Sequence, residues 1–243
     1  MRRPKSKNYP SAPNSSPTTG RLIILLVCFA FIFSPVRASA QQKPQPDSVP
    51  AASSGSSSAG QQHNSRKIDI NRVNREFVQS GGSCVLASYA IVASYFTSKP
   101  IATYFEGYCE HFGLQYKDAL DAEQKYAAHF DQEWRKRNCR GYEVILDLHT
   151  NSKVKCFVEA RQRFDGHFYL DSASHLRELE NSLTQNEAFL NITYEPGHDY
   201  HSITIIHNDT GFAARDTNKK GLEPISGLSK IGKLRDSVLY VGK

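Results

Sequence analysis

The apolar positions of this chain fall into three regimes. Leu22–Phe33 is an unbroken apolar run of twelve residues, preceded by basic and polar residues and followed by Ser34-Pro35 and Ala38-Ser39-Ala40. Residues 41–66 hold almost no large apolar side chain; Ala51-Ala52-Ser53-Ser54-Gly55-Ser56-Ser57-Ser58 typifies a stretch that cannot repay its ordering entropy. From about Lys67 apolar residues recur at helical and then at strand spacing, so the folded domain is expected at 67–243, a one-domain length.

Within that domain, Cys84–Phe96 is apolar, rich in small residues and free of Gly and Pro, which predicts a largely buried helix. Ser80-Gly81-Gly82-Ser83 before it reads as a loop with Ser83 as a capping serine, and Lys99-Pro100 ends the helix. Ile101–Phe112 and Tyr116–Asn138 read as two further helices, the second charged toward its end as a solvated face would be. After Gly141 the composition turns to Val, Ile, Leu and Phe. Tyr142–Leu148 and Val154–Ala160 are expected as strands joined by a turn at Thr150-Asn151-Ser152. Ser174–Leu183 has amphipathic helix spacing, and Ala188–Tyr194, Ser202–His207, Gly211–Arg215 and Ser237–Val241 read as strands. Helices first and antiparallel strands later is an α+β signature.

Charge alters the picture in one place. Six of the 30 basic residues lie in 1–40, which has no acid, so the remaining 24 balance the 24 acidic residues. The formal charge of +6 therefore gives no ground for a phosphate-binding face, and no nucleic-acid partner is expected. A basic leader, a twelve-residue apolar run and an A-x-A site describe a secretory signal peptide over 1–40, cleaved after Ala40. The alternative, a membrane anchor over 22–33, would need roughly 20 apolar residues. The mature chain is thus expected to be secreted or periplasmic, tethered or preceded by a linker over 41–66, with no stable membrane insertion.

Candidate chemistry begins at Cys84, where a glycine-rich loop enters an apolar helix. The macrodipole and free N–H groups of a helix N-terminus favour a thiolate, the nucleophilic form. Alone, such a cysteine is more often an inert core residue. The far end of the chain adds a base. His201 opens the alternating stretch Ser202-Ile203-Thr204-Ile205-Ile206, and Phe212-Ala213-Ala214-Arg215 leads to Asp216. In a hairpin centred on Asn208-Asp209, position i faces 417 − i, which sets His201 opposite Asp216. Directly opposed side chains on one face have Cβ atoms about 5 Å apart, so Asp216 would orient the imidazole. Cys84 is then the best nucleophile for this pair. Gln79, five residues before Cys84, could donate its side-chain amide beside the Cys84 N–H to a tetrahedral oxyanion.

Taken in order, Gln79-Ser-Gly-Gly-Ser-Cys84-Val-Leu-Ala-Ser-Tyr-Ala, His201-Ser-Ile-Thr-Ile-Ile and Gly211-Phe-Ala-Ala-Arg-Asp216 resemble the papain-like cysteine peptidases. They are most similar to the branch that includes the double-glycine leader peptidases and their secreted stand-alone relatives. The resemblance implies a papain-like fold with Cys84 as nucleophile, His201 as general base and acid, Asp216 orienting the histidine and Gln79 in the oxyanion hole. It implies a peptide or protein substrate and no cofactor. Val85 departs from the Gly or Trp usual after the nucleophile, and no transporter accompanies these motifs, so leader processing is not implied. A transglutaminase or cell-wall amidase would use the same triad, and an inactive papain-like binding module would keep it as a relic.

The other residues carry less. His198 is a rival base, set among loop residues Gly197 and Asp199, whereas His207 lies at the wrong end of the hairpin. His111, His129, His149, His167 and His175 lack metal-ligand spacing, and no metal is expected. If Cys84 is free, Cys109, Cys139 and Cys156 allow at most one disulfide, with three candidate pairings. Asn191-Ile-Thr and Asn208-Asp-Thr match the glycosylation acceptor pattern only by chance, given their strand and turn settings.

Overall fold

The computed structural model describes residues 67–194 and 200–243. The segments expected as a signal peptide (1–40) and a linker (41–66), and the rival base His198, lie outside the described residues.

Helix α1, Cys84–Thr97, is buried from Leu86 to Ala93 and again at Tyr95. Its apolar residues run all round, as expected for a helix with neighbours on every side. Helices α2 (Ala102–Phe112) and α3 (Ala119–Arg137) follow at nearly the expected bounds. Asp118 caps α3 by accepting the Asp121 N–H, and Gly113 ends α2 at φ 66°.

The segments Tyr142–Leu148 and Val154–Ala160, expected as strands, are instead helices: α4 is Gly141–Asn151 and α5 is Lys155–Arg163. Tyr142, Ile145 and Leu148 are buried at a spacing of three, and Cys156, Phe157 and Ala160 at one and four, so each segment buries one helical stripe. Their β-branched and aromatic content marks burial rather than strand, and tertiary packing overrode the propensity. Glu143 also accepts the Arg140 N–H, fastening the first turn of α4. Thr150 and Asn151 belong to the last turn of α4, and Ser152 ends it, so the expected hairpin turn is a link between helices.

The strands are β1 (Phe164–Leu170), β2 (Ala188–Tyr194), β3 (His201–Asn208), β4 (Gly211–Arg215), β5 (Glu223–Ile225) and β6 (Leu234–Gly242). They form one antiparallel six-stranded sheet in the order β1-β6-β2-β3-β4-β5. The last strand thus inserts between β1 and β2. A short 3-10 turn, Ser172–His175, leads into helix α6, Leu176–Gln185. The α+β class holds, with the sheet beginning at Phe164 rather than at Tyr142.

One face of the sheet, including Phe189, Ile206, Val238 and Tyr240, packs with α1–α5 in the main core. The opposite face, including Leu190, Ile192, Ile205 and Leu239, packs with Leu179 and Leu183 of α6. Within the main core the ring of Tyr89, on α1, contacts Tyr104, His149, Phe157, Phe164 and Tyr240, which fixes α1 against three helices and the sheet at once. Its hydroxyl also meets His149 Nδ1 at 3.1 Å, and burial pushes the His149 pKa down to about 4, making that imidazole a neutral core residue.

Helices α2 and α5 meet at Gly107, where an added Cβ would lie 2.4 Å from Cys156 Sγ and 3.3 Å from the Phe157 ring. Gly107→Ala should therefore destabilise the domain by about 1–3 kcal/mol despite the better helix propensity of alanine. Urea unfolding read through the midpoint is the check, and a stabilised variant would show that α5 moves away freely.

Candidate active site

Cys84 is the first residue of α1 and is partly exposed. The loop before it is pinned from α3. Glu123, buried, accepts the Ser80 N–H at 2.7 Å and the Ser83 hydroxyl at 2.6 Å through the same oxygen. Ser83 does occupy the N-cap position, but its hydroxyl donates to Glu123 and caps nothing. One turn further along α3, the Tyr126 hydroxyl accepts the Leu86 N–H at 3.2 Å, and Ala87 N–H bonds to Ser83 O. The N–H groups of Cys84 and Val85, first in the helix, are left with no intrahelical partner. They flank the thiol.

His201 begins β3, and its Nε2 lies 2.8 Å from Asp216 Oδ1 and 3.2 Å from the Asn218 side-chain amide. The Cys84 thiol lies close enough to the imidazole to act on its charge and raise its pKa. Because Nε2 is engaged with Asp216, Nδ1 is the ring nitrogen left for the thiol. The structure thus brings together Cys84, His201 and Asp216 from a helix N-terminus, a strand start and the loop after a strand.

The hairpin register differs from expectation. Thr204 faces Arg215 and Asn208 faces Gly211, so i pairs with 419 − i rather than 417 − i. Asp209-Thr210 form the turn, with Asn208 Oδ1 accepting both the N–H and the hydroxyl of Thr210 and Gly211 taking φ 113°. A shift of two in the sum moves every partner by two residues and leaves side chains on the same face. Asp216 therefore meets His201 diagonally from just beyond β4, and Asn218 takes the position opposite.

Burial works against charge on His201, yet the hydrogen bond to Asp216 and the influence of Asp216 and Cys84 on its charge outweigh it, raising its pKa to about 9. Asp216 is likewise penalised by burial. The His201 and Asn218 N–H bonds and the charges of His201 and Lys219 prevail and hold its carboxyl below the usual range. Both shifts favour an imidazolium beside a carboxylate at neutral pH.

Gln79 lies beside the Asp216 loop. Its backbone N–H donates to Thr217 O at 2.8 Å, and its side-chain oxygen accepts the Thr217 hydroxyl. Nε2 donates to Gly81 O at 2.9 Å, so one of its two amide protons is spent inside the loop.

Arg215 ties these pieces together. It is fully buried, and its guanidinium donates to the carbonyls of Asn74, Phe77, Asp216 and Lys219. It thereby clamps the chain leading to Gln79 against the loop carrying Asp216. Sequence reasoning missed Arg215, Glu123 and Tyr126. A lone arginine at a strand end carries no signal, and Glu123 and Tyr126 sit in a charged helix that reads as solvated.

A cleft of about 770 Å³ is lined by Val85, which follows Cys84 in the chain, by Tyr200, which precedes His201, and by Thr193 on β2; Cys84, His201 and Asp216 themselves do not line it. All four described cysteines are free thiols, and Cys139 also lines the cleft. Among the described residues no cluster of three metal-ligating side chains occurs, and no helix is long and apolar enough to cross a membrane. No protein-family model, curated protein or solved structure matches this chain.

Glu123→Ala would strand the Ser80 N–H and the Ser83 hydroxyl and release the loop that sets Cys84. Turnover of a substrate should slow about tenfold or more, as reacting groups held loosely lose their aligned geometry. Glu123→Gln keeps the accepting oxygen and should recover most of the rate. Equal kcat in all three proteins would make Glu123 a purely structural anchor.

Proposed function

We propose that the chain is a cysteine peptidase of papain-like arrangement, exported by its first 40 residues. The observation that carries this reading is the His201–Asp216 pair at 2.8 Å, with the helix-terminal thiol of Cys84 close enough to act on the same imidazole. Such a set is built to hold an imidazolium–thiolate pair.

In the reaction, Cys84 Sγ attacks the carbonyl carbon of a peptide bond. The resulting oxyanion accepts hydrogen bonds from the Cys84 N–H, with the second Gln79 amide proton as the companion donor. His201 Nδ1–H passes its proton to the leaving amine nitrogen, the C–N bond breaks and a thioester remains on Cys84. Water then attacks the thioester while His201 takes a proton from it, and release of the acid returns the thiolate and imidazolium. Asp216 keeps the ring turned and stabilises its positive charge throughout.

The test is hydrolysis of a fluorogenic peptide library by the mature chain beside Cys84→Ser. Turnover is expected only with the cysteine present. With a substrate in hand, kcat/KM should fall as pH rises through about 9, the value at which His201 loses its proton and with it the imidazolium that serves as general acid. Amide products that exceed acid products when a primary amine is added would move the assignment to acyl transfer. No turnover, together with ordinary thiol reactivity at Cys84, would leave a binding module.

A further inference from the structure

The loop after β4 brings an amide to His201 as well as a carboxylate. Continued beyond β4, the hairpin register sets Asn218 opposite His201, and the Asn218 side-chain nitrogen stands 3.2 Å from His201 Nε2. A tight turn carries it there. The Asn218 backbone N–H donates to Asp216 Oδ1 at 2.9 Å, the same oxygen that faces Nε2, and the Lys219 N–H donates to Asp216 O at 3.3 Å. The buried Arg215 guanidinium holds the carbonyls of Asp216 and Lys219, so both ends of the turn are fixed from the interior.

Hydrogen-bond chemistry decides which end of that amide faces the ring. The Asp216 carboxyl is held below the usual range and accepts only, so Nε2, at 2.8 Å from it, carries a proton. An amide nitrogen at 3.2 Å would then set N–H against N–H. A half-turn of the Asn218 amide exchanges nitrogen and oxygen with almost no change of shape. The Nε2–H then has two acceptors, Asp216 Oδ1 and Asn218 Oδ1, in a three-centre bond. A ring flipped about its Cβ–Cγ bond would turn Cε1–H toward both oxygens and put carbon in place of Nδ1 on the side of the thiol. Two acceptors resist that flip more than one.

We propose that Asn218 is a positioning residue for His201, offering its side-chain oxygen to the Nε2–H and, with Asp216, keeping Nδ1 turned toward Cys84. The other titratable and charged groups around this pair are Cys84 on α1, the Tyr194 ring 5.8 Å away on β2, Arg215 in the interior, and Lys219 of the turn, itself paired with Glu223 of β5 at 2.5 Å. This role rests on the peptidase reading for the task of the imidazole, but the titration of the ring can be followed without turnover.

The mature chain would be prepared with isotope-labelled histidine in a Cys84→Ala background, which removes the coupled thiol. The His201 Cε1–H resonance, identified by its loss in His201→Gln, would be followed against pH. Asn218→Ala keeps the backbone N–H that Asp216 accepts and removes only the side-chain oxygen. It should lower the His201 pKa by about 0.5–1, since a hydrogen bond to the charged form is lost. Asn218→Asp keeps an acceptor, adds charge and should raise it. Asn218 is exposed, so neither substitution disturbs the core. A rise in Asn218→Ala would mean that the amide nitrogen faces the ring and would overturn the proposal, as would a pKa that ignores both substitutions. Given turnover in the Cys84 protein, the fall of kcat/KM at high pH should move to lower pH in Asn218→Ala, with KM little changed. The expected titration shifts without any turnover would keep the role of Asn218 and remove the peptidase reading; turnover without the shifts would do the reverse.

Discussion

Replacing His201 with alanine should slow iodoacetamide alkylation of Cys84 by about one hundredfold near pH 6 and cut peptide hydrolysis by about a thousandfold or more. The first figure follows from ionisation. A cysteine with the unperturbed pKa of about 8.5 is thiolate to well under one per cent at pH 6, whereas a thiol paired with an imidazolium reacts as thiolate. The His201 pKa is raised to about 9, so the ring carries its proton throughout the neutral range and would face any thiolate at Cys84 as an imidazolium. Part of the gain is offset, since a stabilised thiolate is a weaker nucleophile. The second figure adds the lost proton transfer to the leaving amine. The measurement is the pH–rate profile of alkylation for both proteins, with the modified peptide identified by mass. Superimposed profiles would sink the triad, because an ordinary thiol does not respond to a histidine it does not pair with. A lowered profile with intact folding, read by far-UV circular dichroism, would establish the coupling.

Arg215→Met is expected to cost about 3–5 kcal/mol and to lower Tm by about 10 °C. Methionine fills the volume and donates nothing, so the carbonyls of Asn74, Phe77, Asp216 and Lys219 lose a shared donor in the interior. An unsatisfied buried polar group costs about 1–3 kcal/mol, and water can reach only some of these. The buried guanidinium itself is costly: burial lowers its pKa against the opposing pull of Asp216 and Glu76. Breaking such a set therefore hurts far more than its net contribution would suggest. A second readout separates clamp from scaffold. Below the melting transition, kcat should still fall, since the Gln79 segment and the Asp216 loop have lost their common anchor. Calorimetry and kinetics on one preparation give both numbers. A loss of under about 1 kcal/mol with unchanged kcat would mean that solvent substitutes for the guanidinium.

Local sequence determined a good deal here. An apolar run of small residues bounded by Gly-Gly-Ser and Lys-Pro fixed α1 to within a residue, because burial on all sides and the breakers are both local properties. Alternation placed β2, β3 and β4 for the same reason. The pairing of His201 with Asp216 was also legible, although the register used to reach it was two residues off. Parity conserved the face, and the diagonal was short enough for a hydrogen bond.

Other features were decided only by the tertiary structure. Tyr142–Leu148 and Val154–Ala160 have strand-like composition, and what makes them helices is the stripe each buries against α1 and the sheet, which composition cannot express. Strand β6 inserts between β1 and β2 from the far end of the chain, a choice made by long-range pairing. The same holds for the supports of the site. Glu123 reaches the Ser80–Ser83 loop across about 40 residues of sequence, and Arg215 reaches Asn74 and Phe77 across about 140. Hydrophobic period and turn chemistry act over a few neighbours and so are written in the sequence. The closing of buried hydrogen bonds between distant segments depends on which surfaces meet, and that is settled only when the core has formed.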